Sequence, residues 1–433
     1  MLRRWTVIGA APLLIGTFIL RTSSGAGTVI LGLFLAQLTG HGSRTITSID
    51  VGLIAVAFSI TELSFAPFMG ALSDRWGRRK FLIVGPLLGL VGVALLLFTP
   101  TANPLPYLLA IQALGGISSS MQVPTVLGYL ADYTSKDQAH RMRIMSLYEL
   151  ATSGGIGVGV VVGGLIWDHF GRYAFAVLAS FYMLVAICMS LAPKVQQAVE
   201  RTKLRMLATR YWRILHTPRL FIFIPAWISM SAIVGVWLSS QLPYILTVHR
   251  SNVHQLLVGS MSGPGAGGRL SLILGAVALY FGLCLLFWAF FLNRLPRLVL
   301  MLTSIVGVYL FCIAMTGVNH RGVGHEALLI IWTPVLLIGV FAETSFAPAA
   351  LAYLADISES TMRDRGLVMG LYSVFLGLGQ LFGSGLGGVF ARAFDFDGLI
   401  YLTAILGCIA LACLLYLHWY EKRHLASAQQ KAA

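Results

Sequence analysis

Stretches of about 18 to 28 apolar residues recur along the whole of this 433-residue chain. A helix needs roughly 20 such residues to cross the hydrocarbon core of a bilayer. The runs fall near 10–38, 51–72, 81–99, 106–131, 144–167, 174–192, 219–246, 270–291, 298–317, 327–355, 366–390 and 399–418. The pattern predicts an all-α membrane protein with twelve transmembrane helices. Composition agrees, because 57% of the residues are hydrophobic and only 11% charged, whereas a soluble domain carries about a quarter charged residues. A water-soluble globular fold is excluded. The 46 glycines suit helices that must approach closely where lipid offers no hydrophobic drive to associate. Met1 to Arg4 lead into a long apolar run without a short signal-type core, so the first run is read as a retained membrane helix.

The net charge of +14 does not point to nucleic acid, because the basic residues lie in loops. Of the 30 Lys and Arg, 23 fall in the segments on the N-terminal side of the membrane, and six (Arg44, Arg172, Arg250, Arg269, Arg321, Arg392) on the opposite side. The excess of positive charge in cytoplasmic loops places both termini in the cytoplasm, with the chain in the plasma membrane. Residues 193–218 are too polar to span. Their interleaved basic and apolar residues, with Tyr211-Trp212, predict an amphipathic linker on the inner leaflet. It divides the chain into an N-terminal bundle (1–192) and a C-terminal bundle with a short tail (219–433), each with six helices. Cys188, Cys284, Cys312, Cys408 and Cys413 sit inside apolar runs without metal-ligand spacing, which assigns them to packing. No metal site and no cofactor are expected.

The two halves repeat each other without gaps. Tyr129-Leu130-Ala131-Asp132 recurs as Tyr353-Leu354-Ala355-Asp356, and at the same offset Gly155, Gly159, Gly163 and Gly164 meet Gly379, Gly383, Gly387 and Gly388. A parallel six-helix repeat about an axis along the membrane normal is the plan of one large class of secondary transporters.

The loop after the second run reads Gly70-Ala71-Leu72-Ser73-Asp74-Arg75-Trp76-Gly77-Arg78-Arg79-Lys80. It resembles motif A of the major facilitator superfamily, G-x-L-[AS]-D-R-x-G-R-[RK], at every defined position. The resemblance implies two pseudo-symmetric six-helix bundles, transport of a small molecule by alternating access, and a substrate site near the midplane. It also implies a conformational latch carried by Gly70, Asp74, Arg75, Gly77, Arg78 and Arg79, with Asp74 pairing across the halves. The second half keeps a worn copy, Asn293-Arg294-Leu295-Pro296-Arg297, in which Asn replaces the aspartate and Pro the glycine. Gly155, Gly159, Gly163 and Gly164 are similar to the antiporter motif G-x-x-x-G-P-x-x-G-G of the family's exporters, with Val160 where proline is usual. The same spacing also makes a plain packing face. Gln112 occupies the place where drug and proton antiporters of the family often carry an arginine.

Of the 16 acidic residues, Glu62, Glu149 and Glu343 fall within the predicted spans, with one basic residue, Arg21. An ionisable residue there costs roughly 2.5 to 3.5 kcal/mol on insertion scales and should face the bundle interior. Arg21 and Glu62 differ in depth by roughly 9 Å at 1.5 Å per residue, within the reach of long side chains, and form either a structural ion pair or a coupling or substrate site. Glu343 reads as functional, because Pro348 would loosen the helix beside it. Glu149 lies near the inner face. Gln112, Gln122, Trp227 and Gln241 are polar candidates for cavity lining or for packing.

No nucleophile elbow, phosphate-binding loop or soluble catalytic domain is present, so the chain reads as a transporter and not an enzyme. Proton-coupled export of drug-like organic compounds is the preferred reading. Import of a nutrient or organic anion and a transport-inactive sensor on the same scaffold are the alternatives. The expected partners are a small-molecule substrate, protons and membrane lipids, with the protein acting as a monomer and binding no nucleic acid.

Overall fold

The computed structural model describes residues 2–39, 46–134, 138–193, 217–249, 254–291, 295–359 and 365–432. Most of the 193–218 linker, with Tyr211-Trp212, and Asn293-Arg294 lie outside the described residues. The helices in chain order are α1 Leu2–Thr39, α2 Ser48–Trp76, α3 Arg78–Leu95, α4 Pro104–Tyr133, α5 Gln138–Phe170, α6 Ala174–Ser190 and α7 Pro218–Trp237. There follow α8 Gln241–Thr247, α9 Ala266–Phe291, α10 Arg297–Asn319, α11 Leu329–Glu343, α12 Phe346–Glu359, α13 Arg365–Phe394 and α14 Phe396–Ala432. Among the described residues nine stretches are long and apolar enough to cross a membrane. Four of them, Ile144–Ser190, Pro218–Thr247, Glu326–Leu354 and Val374–Arg423, each run through residues of two α-helices. Large apolar side chains such as Phe68, Phe98, Phe290 and Ile330 stand outward, which suits lipid and not water.

Local chemistry sets several boundaries. Thr47 opens α2 with a reciprocal capping box, its hydroxyl accepting from the Asp50 N–H while Asp50 accepts from the Thr47 N–H at 2.8 Å. Gly77, at φ +101°, reverses the chain between α2 and α3 in a conformation that a side chain would strain.

Two predicted spans are interrupted. The run at 219–246 breaks between α7 and α8, and the run at 327–355 between α11 and α12, directly after Glu343. Pro348 has no N–H for the Thr344 carbonyl, and the Ser345 hydroxyl bonds instead to the carbonyls of Leu300 and Ala342 at 3.0 and 2.7 Å.

The chain divides into two compact units. The first comprises Met1–Glu200, Leu238–Ser251 and Val258–Ala278, and the second Arg201–Trp237, Asn252–Leu257 and Leu279–Ala433. Within the first unit, α5 lies on α1 through its glycines: a methyl at Gly155 would sit 2.6 Å from the Phe18 carbonyl, and one at Gly163 2.8 Å from the Ala26 Cα. In the second unit α13 lies on α7 in the same manner, with a methyl at Gly379 2.7 Å from the Ile228 carbonyl. The repeated glycines therefore mark one kind of helix contact, built once in each unit. Removing a side chain at the crossing lets backbones touch, which is how helices gain packing in lipid.

Candidate functional site

Glu62 stands on α2 where that helix crosses α4. Gly116 permits the crossing, since a methyl there would meet the Glu62 N–H at 3.0 Å. Ser119, one turn along α4, donates its hydroxyl to the Glu62 carboxylate at 2.5 Å. Arg21 on α1 is near enough for its charge to act on that carboxylate, and the partly buried phenol of Tyr182 on α6 lies within range of both charges. Arg21 and Glu62 are thus brought into one cluster without an ion pair between them, and the cluster gains Ser119 and Tyr182, to which composition and depth do not point. Gln122 is buried beside it, giving its amide N–H to Ser118 at 2.9 Å, while Ser118 donates to the Gly85 carbonyl at 2.7 Å. Gln112 is partly buried next to Gly115. Gln241, at the start of α8, is buried with neither amide atom hydrogen-bonded among the described residues.

Glu343 ends α11 in the second unit. Its backbone N–H rests against Gly307 of α10, and among the described residues no hydrogen-bond or charged partner meets its carboxyl. Subtracting the repeat offset from 343 leads to Ser119, the residue that holds Glu62. The two deep carboxyls therefore mark corresponding places in the two units, delivered from helices that are not symmetry mates. Trp288 frames the Glu343 turn by donating its indole N–H to the Phe341 carbonyl at 2.7 Å.

At the motif A loop, Arg78 is the centre. Its guanidinium pairs with Asp74 at 2.8 Å and with Asp132, at the end of α4, at 2.6 Å. Gly128 makes room, because a methyl there would stand 2.8 Å from the Arg78 Cζ. Burial raises the Asp132 carboxyl above its usual range, and the attraction of Arg78 opposes that rise only in part. Arg79 donates to the Ser190 carbonyl at the end of α6 at 2.6 Å. Gly70 faces Pro124 of α4, and Arg75 is exposed. The worn copy works similarly in the second unit, where Arg297 pairs with Asp356 and donates to the Ala352 carbonyl at 2.7 Å.

These contacts give the Tyr-Leu-Ala-Asp repeat a physical meaning that its recurrence alone does not supply. The aspartate of each copy neutralises the arginine of the preceding loop. Each tyrosine ties a later part of its own unit: Tyr129 donates to the Pro193 carbonyl after α6 at 2.6 Å, and Tyr353 to Glu421 on α14 at 2.7 Å.

Residues 13–275 and 265–432 match the sequence model of the Major Facilitator Superfamily. The chain belongs to the major facilitator superfamily. It is a membrane transporter of that family, which agrees with motif A and the internal repeat. Multidrug resistance protein 2 of Bacillus subtilis (strain 168) is 25% identical over 384 residues, covering 87% of this chain and 88% of the relative. The quinolone resistance protein NorA of Staphylococcus aureus (strain MRSA252) is 23% identical over 417 residues, covering 94% and 95%. Among solved structures, the nucleoside transporter NupG superposes with a TM-score of 0.70 at 13% identity, covering 95% of this chain and 98% of that one. A POT family transporter in complex with 5-aminolevulinic acid gives 0.68 at 14% identity over 96% of each chain. At such identities the superpositions speak for the major facilitator fold alone.

Proposed function

We propose that this major facilitator transporter exports small amphipathic organic compounds, cationic or neutral, in exchange for protons. The observation that carries the reading is the pair of deep carboxyls at corresponding places, Glu62 held by Ser119 near Arg21 and Glu343 without a partner among the described residues. A carboxylate in lipid is costly, and it can be relieved either by a proton or by the positive charge of a cargo, so the two compete; that competition is antiport. The similarity to Multidrug resistance protein 2 and NorA supports the direction and the cargo class. In the same reading the chain makes twelve passes as a monomer in the plasma membrane, with both termini cytoplasmic and the bundles at 1–192 and 219–433. Motif A acts as a latch in the alternation between inward and outward access, and the glycines of α5 serve helix packing that the alternation must preserve.

Arg21 favours a second reading, import of an organic anion, since a guanidinium binds carboxylate or phosphate well. One experiment separates them. Inverted vesicles energised with a proton gradient and loaded with a pH-sensitive dye should release protons when a cationic drug is added. Protons that accompany an anionic substrate in the same direction would establish import instead.

A further inference from the structure

The last two turns of α5 meet the first three turns of α9 inside the first unit, and the contact has a polar construction that packing alone does not need. Asp168 on α5 accepts the N–H groups of both Gly267 and Gly268, at 3.0 and 2.6 Å. Those are first-turn amides of α9, which have no partner within their own helix and carry the positive end of its dipole. One turn further, the Ser271 hydroxyl accepts from the Gly164 N–H and donates to the Val160 carbonyl, each at 2.8 Å. Val160 C=O and Gly164 N–H are the two ends of one step of the α5 hydrogen-bond ladder. Between the two polar points the backbones nearly touch, since a methyl at Gly267 would lie 2.6 Å from the Gly164 carbonyl. Residues 160, 164 and 168 follow one another at helical spacing along one face of α5, so the glycine motif ends in this contact.

Separation of such a contact leaves little unsatisfied. Val160 and Gly164 can close their own ladder step when Ser271 withdraws, and the Asp168 carboxylate and the amides of Gly267 and Gly268 lie at helix ends that water can reach. A contact that is well satisfied when made and nearly as well satisfied when broken is suited to two populated states.

We propose that Asp168 and Ser271 are positioning residues of the transport cycle, which dock residues 258–278 on α5 by a reversible polar lock, with 238–251 joined to them through the Gly259 N–H to Ile245 carbonyl and Met261 N–H to Leu246 carbonyl bonds, and that release of this lock accompanies opening of the end of the transporter where Asp168 lies. The proposal holds whichever way the cargo moves.

Hydrogen–deuterium exchange of the full-length protein in lipid nanodiscs tests it. Asp168→Asn should speed exchange roughly tenfold, a shift of about 1.4 kcal/mol, not only at 267–268 but together over 241–249 and 258–262, which do not touch Asp168. Ser271→Ala, which removes one hydroxyl and leaves the α5 ladder able to close, should loosen the same segments to a smaller degree and carries the test if Asp168→Asn fails to fold. Both variants should also change the rate of substrate exchange. A change confined to 267–268 with unaltered transport would overturn the proposal, and so would an equal rise across 297–319, which would signal general loosening.

Discussion

Arg78 offers a test in which the geometry decides the magnitude. Its two partners differ in burial: the Asp132 side chain is 13% exposed and that of Asp74 60%. Replacing Arg78 with Met strips both, but Asp132 is then left as the more poorly hydrated charge. Removing one partner of a buried pair costs about 3–5 kcal/mol, whereas an exposed pair is worth about 0–1 kcal/mol. Desolvation already outweighs the attraction in raising the Asp132 carboxyl, so the cost should lie near the lower figure, about 3 kcal/mol. Arg78→Met with Asp132→Asn should recover most of it, and Arg78→Met with Asp74→Asn should recover almost none.

Equilibrium unfolding in mixed micelles reads these differences directly. The sign with pH follows from the same cause. A carboxyl whose folded-state titration is raised contributes its full stability at low pH and loses it as pH climbs through that titration. The Arg78→Met penalty should therefore shrink in acid and grow toward neutrality, while the double variant with Asp132→Asn should be insensitive. Arg297 and Asp356 are 38% and 47% exposed, so Arg297→Met should cost less than about 1 kcal/mol. Equal penalties for Arg78→Met and Arg297→Met, or rescue by Asp74→Asn instead of Asp132→Asn, would refute the reasoning.

Two further outcomes are expected. Arg21→Ala should impair transport more than Arg21→Ala combined with Glu62→Gln, because the single change leaves the Glu62 carboxyl without the charge that relieves it; strict additivity in the double-mutant cycle would show that the two charges act independently. Gly159→Leu and Gly383→Leu should each destabilise by at least about 1–3 kcal/mol, since the intruding side chains would strike backbone of α1 and of α7, which yields less than a side chain can; normal stability of the Gly383 variant would mean that the repeated glycines are not matched packing faces.

Much of the fold is legible in the sequence because lipid imposes a length rule and a backbone rule at once. The helix positions, the offset between the halves and the identity of the glycine faces all follow from spacing. The interruptions are less legible, and the two copies of Glu-x-Ser-Phe-Ala-Pro show why. After Glu343 the helix breaks, whereas α2 runs from Ser48 to Trp76 straight through Pro67. The variable position holds Thr344 in one copy and Leu63 in the other. Thr344 turns its hydroxyl to the Phe341 carbonyl at 2.8 Å, and Ser345 serves Leu300 and Ala342. In the second copy side-chain hydroxyls replace backbone donors, and at Leu63 no hydroxyl exists to do so. The break before α8 carries a comparable signal in Pro243, which has no N–H to offer Ser239, but within a continuous apolar run that signal is weak. The side-chain pairs at the site are the least legible, because Ser119 and Tyr182 are ordinary residues of membrane helices until the fold sets them beside Glu62.

The same comparison separates the roles of the two deep carboxyls. Glu62 has a donor in Ser119 and a nearby positive charge in Arg21, so part of its need for a partner is met by the protein. Glu343 stands at the place equivalent to Ser119, next to a helix break, with no such partner among the described residues. In the proposed exchange, a carboxyl without a resident partner takes one from outside, as a proton or as the positive end of a cargo, and its occupancy changes without breaking a contact of the fold. Glu343→Gln should accordingly abolish drug-driven proton release in inverted vesicles while leaving drug binding measurable and the unfolding free energy unchanged or raised. Glu62→Gln should keep a reduced but proton-coupled activity, because the amide oxygen can still accept from Ser119. Proton release that survives in Glu343→Gln and vanishes in Glu62→Gln would reverse the assignment, and would make the carboxyl held by Ser119 the one that carries the proton.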